Sequence, residues 1–129
     1  MKKAFLLIIV LVSTFGTINA QQSTKKALRH VVMFGWNEGT NPEYITKIVN
    51  AFEALPKQIS LIKAFEWGLN NSPENLNKGL THCFTITFDS ESERDAYLIH
   101  PAHKAFVALL DPAPTNVTVF DYWVTDPKE

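Results

Sequence analysis

Cysteine is nearly missing from this 129-residue chain, which has Cys83 alone. No intramolecular disulfide can staple the fold, so packing has to hold it together. Cys83 falls in an apolar-rich strand pattern with no activating motif beside it, and reads as a buried, inert thiol. An excess of positive charge is missing as well. Thirteen Asp and Glu face twelve Lys and Arg, and Lys2 and Lys3 are two of those twelve, which leaves ten beyond residue 20. The one basic cluster, Lys25, Lys26 and Arg29, reads as a solvated tail, so nucleic acid is excluded as an expected partner. There is no P-loop, dinucleotide fingerprint, G-x-S-x-G elbow or H-E-x-x-H pair. Phosphoryl transfer, hydride transfer and serine hydrolysis therefore have no support in the sequence, and no cofactor is expected.

The apolar run Ala4 to Val12 is too short to span a bilayer. It follows Met1-Lys2-Lys3 and relaxes through Ser13, Thr14 and Gly16 to Ala20, the layout of a signal peptide. The expectation is export to the periplasm or the medium, with no membrane attachment after cleavage near residue 20. Residues 21–27 then read as a flexible lead-in, 28–125 as one domain and 126–129 as a tail, a length that buries one modest core.

Six elements are legible along that domain. Ala27 to Trp36 is a β-rich run. Asn41-Pro42 opens a helix whose apolar positions Tyr44, Ile45, Ile48, Val49, Phe52 and Leu55 recur on one face, and Pro56 is expected to end it. A second strand falls between Ile59 and Leu69, followed by the polar loop Asn70-Asn71-Ser72-Pro73. From Leu80 to Phe88 the residues alternate, with His82, Phe84, Ile86 and Phe88 on one face and Cys83, Thr85 and Thr87 on the other. Ser90-x-x-Glu93 is a capping box that opens a second helix, which His100-Pro101 interrupts. Asn116 to Val124 is the last strand. The order β-α-β-β-α-β predicts an α+β domain with helices on one face of an antiparallel sheet. The first strand is apolar on both faces, with Val31 and Met33 against Val32 and Phe34, so the second face calls for a symmetric copy of the same chain.

Four histidines are the candidates for chemistry. His30 and His82 lie at inward positions of their strands, where a ring bonded to a neighbouring group is the plain alternative to a functional role. His103 falls in the first turn after Pro101, where the helix dipole favours the neutral ring, a proton acceptor. Tyr97 precedes the break and could polarise a carbonyl, which makes Tyr97 and His103 a possible acid–base pair. The alternative is that His100 caps the helix and His103 bonds back to the loop. His100 and His103 are spaced for a metal, but Pro101 spoils that geometry and no metal site is expected.

The stretches LRHVVMFGWNEG, NNSPENLNKGLTHCFTITFDS and above all DAYLIHPAHKAFV resemble the stress-responsive A/B barrel (Dabb) domain family from Leu28 to Val124. The resemblance implies a ferredoxin-like fold that pairs into a dimeric α+β barrel. Two functions are then expected of this exported chain. One is the binding of a small apolar or aromatic ligand in a pocket of a homodimer. The other is a cyclase- or lyase-like reaction, as in a plant polyketide cyclase of the family, with His103 as general base and Tyr97 stabilising an enolate. By the same resemblance His30 and His82 match pocket histidines, and Phe52 and Phe84 are expected beside them in the pocket. Phe52 stands where that cyclase carries a tyrosine, which removes a polar handle and argues against an identical substrate.

Overall fold

In the computed structural model, residues 26–125 are described. The leader expected over 1–20 and the tail at 126–129 lie outside them. Strand β1 (Leu28–Gly35) is followed by α1 (Pro42–Glu53), a short α2 (Leu55–Gln58), β2 (Ala64–Leu69) and β3 (His82–Phe88), then α3 (Glu91–Ile99), α4 (Pro101–Ala108) and β4 (Asn116–Trp123). The strands form one antiparallel sheet in the order β2-β3-β1-β4. This is the ferredoxin-like arrangement, with both helical connections on the same face.

The local chemistry accounts for most boundaries. Asn41 accepts from the Glu43 amide at 2.8 Å, and Pro42 sits in the first turn, where no amide is needed. The Ser90 hydroxyl accepts from the Glu93 amide at 3.2 Å, while the Glu93 carboxylate accepts from the Asp89 amide at 2.9 Å, one residue before the usual reciprocal partner. The expected break falls at His100, which has extended backbone angles, ends α3 and caps α4 through its own ring: Nδ1 accepts from the Ala102 amide at 3.1 Å. Pro56 needs a correction. It does not end the helical region but lies in the first turn of α2, a position a proline tolerates well. The expected second strand is also shorter than its apolar run, because Ile59 turns into the core and Leu61 and Ile62 pack against it before β2 begins.

Registers place Leu28, His30, Val32 and Phe34 on the helical face beside His82, Phe84, Ile86 and Phe88 of β3 and Val117, Val119 and Asp121 of β4. Under α1 this face is densely aromatic. Phe52 stacks on Phe84 at 4.5 Å between ring centres and meets Phe106 of α4 at 4.4 Å. At the end of β1, Gly35 runs so close to the 70–81 loop that a Cβ there would sit 2.4 Å from the Gly79 carbonyl oxygen, so no larger residue fits. Among the described residues no helix covers the opposite face of the sheet, and Phe120 and Tyr122 of β4 stand 61% and 44% exposed on it.

Candidate functional site

The helices do not cover the sheet evenly. Between β4, the adjoining half of β1 and the α3–α4 pair lies a cavity of about 490 Å³. Its walls are mostly apolar: Phe34, Phe52, Phe106, Leu110, Val117 and Val119. Val117 and Val119 face the helices yet remain 52% and 54% exposed, and Val107 on α4 is 47% exposed, so these residues form an apolar mouth.

The polar end of the cavity is built by the helix break. Because α3 stops at Ile99 and α4 restarts at Pro101, Tyr97 and His103 turn toward each other, with ring centres 4.4 Å apart. His103 Nδ1 lies 3.1 Å from the Leu98 carbonyl oxygen. A carbonyl can only accept, so Nδ1 carries the proton and Nε2 holds the lone pair. Burial holds the His103 ring below the ordinary histidine range, partly offset by that hydrogen bond, and His30 and His100 push in the same direction as burial. His100 thus caps α4 as one expectation had it, while His103 bonds back to Leu98 of α3 and not to the loop, and neither bond keeps His103 out of the cavity wall.

Tyr97 is fully buried, and its hydroxyl has no hydrogen-bond partner among the described residues. Burial raises its pKa well above the usual phenol value, so it stays a neutral donor. An unsatisfied buried hydroxyl costs on the order of 1–3 kcal/mol, and native structures rarely carry one without a use. His30 completes this end, 5.8 Å from Tyr97 between ring centres. Its Nδ1 donates to Asp121 at 2.7 Å across the β1–β4 pair.

The other sequence-derived pocket residues are distributed differently. Phe52 lines the cavity. Phe84 lies behind Phe52 in the packed core and is not part of the wall. His82 is at the far end of the sheet, where its ring lies parallel to Trp67 at 6.2 Å and its Nδ1 accepts from the Trp36 indole at 3.2 Å. It borders a second, open groove formed by β2 and the 70–81 loop, so it does not join His103. Sequence reasoning missed Asp121 and Arg94. The signal was present: Val117, Val119, Asp121 and Trp123 share one parity of β4, and a carboxylate among inward apolar residues needs a partner. Arg94 supplies one, donating to Asp121 through Nη1 and to Asp95 through Nε at 2.8 Å. Among the described residues no three His, Cys, Asp or Glu gather as a metal site requires.

These features define a ferredoxin-like α+β domain with helices on one face of its sheet and an amphipathic cavity under a broken second helix. Residues 28–124 match the stress responsive A/B barrel domain, and the chain belongs to that family. It is 35% identical over 101 residues to the stress-response A/B barrel domain-containing protein HS1 of Arabidopsis thaliana, covering 78% of this chain and 93% of that one. It is 27% identical over 100 residues to olivetolic acid cyclase of Cannabis sativa, covering 74% and 95%. Among solved structures, hydroxynitrile lyase from Passiflora edulis shares the fold with a TM-score of 0.74 at 21% identity, covering 81% of this chain and 99% of the lyase. A dimeric ferredoxin-like protein of unknown function from Bacteroides fragilis superposes with a TM-score of 0.60 at 28% identity, covering 74% and 94%.

Proposed function

We propose that this chain is an exported Dabb protein that acts as a homodimer and holds a small, largely apolar or aromatic organic ligand in the cavity between β4 and α4. The observation that carries the reading is the buried Tyr97 hydroxyl, which lacks a partner beside His103 in an otherwise apolar cavity. A carbonyl or hydroxyl of a ligand would satisfy it, and the volume suits an aromatic ring with a short chain.

A specific observation favours a catalytic use of the same site. The His103 tautomer is fixed with Nε2 unprotonated, and burial keeps the ring neutral, which are the two properties of a general base. With Tyr97 donating to a carbonyl oxygen, His103 would remove a proton from the adjacent carbon and the phenol would stabilise the enolate that forms. The relatives named as a cyclase and as a hydroxynitrile lyase make this reading concrete.

The homodimer is supported by the uncovered sheet face, where Phe120 and Tyr122 are exposed and Val31 and Met33 only half-buried, and by the dimeric relative of the same fold. Export is supported by the basic start and apolar run of residues 1–20. Native mass spectrometry of the protein recovered from the periplasm or medium of its host tests these together. The expected species is a dimer of chains that begin near residue 21, carrying a small molecule. A monomer at micromolar concentration contradicts the pairing, a full-length cytoplasmic chain contradicts export, and protein that is empty and also takes up no aromatic ketone contradicts the ligand reading.

A further inference from the structure

The polar wall of the β4–α4 cavity has an unusual charge balance. Its polar side chains are His30, Arg94, Asp95, Tyr97, His103 and Asp121. Among the described residues Arg94 is its one permanent cation, and two carboxylates already hold it: Asp121 on Nη1 and Asp95 on Nε. With His30 neutral these groups sum to one negative charge, and with His30 protonated they sum to zero. In neither state does the wall present positive charge to a ligand.

An incoming carboxylate would leave water for a mostly apolar cavity in which the charge of the Arg94 guanidinium is already balanced by Asp121 and Asp95. Burying an anion without a free counter-charge is strongly unfavourable. A neutral carbonyl meets no such cost, because the Tyr97 hydroxyl is an uncommitted donor. We infer that the cavity selects neutral carbonyl compounds against carboxylates of the same skeleton, and that Asp121, by occupying Arg94, is the residue that sets this selectivity. The inference rests on the reading of the cavity as a ligand site and specifies the class of ligand.

The pair 4-phenylbutan-2-one and 3-phenylpropionate isolates the effect, since the two differ only by a methyl ketone in place of a carboxylate. Isothermal titration at pH 7.5 should give ketone binding at least about tenfold tighter than carboxylate binding in the native chain. Asp121→Asn frees Arg94 and should narrow or invert that ratio. Asp95→Asn should move it the same way by less, because the Asp95 side chain is 65% exposed, and this variant leaves the His30 to Asp121 hydrogen bond in place. Asp95→Asn therefore decides the matter if Asp121→Asn does not fold. Equal or tighter binding of the carboxylate by the native chain overturns the inference, and so does a ratio that neither variant moves. Binding of neither compound overturns the ligand reading beneath it, and the inference falls with that reading.

Discussion

His82 and His103 both sit on the helical side of one sheet, both are partly buried, and burial pushes both rings below the ordinary histidine range. Their hydrogen bonds nevertheless give them opposite tautomers. The Trp36 indole can only donate, so the Nδ1 lone pair of His82 is spent on it. The Leu98 carbonyl can only accept, so His103 keeps its lone pair on Nε2 and brings it to a cavity wall. The difference follows from how the two halves of the sheet are covered. Over β3, α1 lays down Phe52 on Phe84 and the space is filled. Over β4, the helix broken at His100 leaves room and turns Tyr97 and His103 into it. One half serves stability and the other holds the candidate chemistry.

The largest effect that would test this division is in packing. Phe84 is fully buried, and Phe84→Ala should cost about 3–5 kcal/mol in urea unfolding. Val119→Ala at the cavity mouth should cost less than about 1 kcal/mol, because its side chain is already half in water. Similar losses at the two positions would break the comparison.

Tyr97→Phe sharpens it. Removing an unsatisfied buried hydroxyl should leave unfolding free energy unchanged or raise it by up to about 1 kcal/mol, while ketone binding weakens by about tenfold. A clear loss of stability would mean that the hydroxyl is engaged in the fold instead.

The smallest effect is in pH. For both histidines the folded pKa lies below the ordinary value of 6.5, so the unfolded chain binds more protons in that window and stability falls as pH drops through it. Thermal melts between about pH 7.5 and 5.5 should therefore decline, above the range where carboxylates titrate. His82→Gln should flatten the decline and weaken the Trp36 contact, whereas His103→Gln should flatten it at little cost to the packed half. A melting point that rises on acidification would contradict both assignments.

Much of this fold was readable from residue patterns because those patterns are local. The strict alternation from His82 to Phe88, the Ser90 and Glu93 cap and the His100-Pro101 break each follow from backbone chemistry within a few residues. Pro56 was misread because a proline ends one helix and starts another equally well, and only the tertiary position of Leu55 and Ile59 in the core decides between the two. The pairing of Tyr97 with His103 could be anticipated from their places on either side of the break. The separation of His82 from His103 could not, because inward parity on a strand says nothing about which half of the sheet a helix fills. Asp121 and Arg94 are 27 residues apart and meet only once β4 has paired with β1.

The most direct test of the account is a backbone amide NMR titration of the uniformly ¹⁵N-labelled protein with 4-phenylbutan-2-one. The largest shifts should gather on Tyr97, His103, Val107 and Val119, with the 70–81 loop silent. Shifts centred on Trp67, His82 and that loop, or no saturable shifts at all, would contradict it.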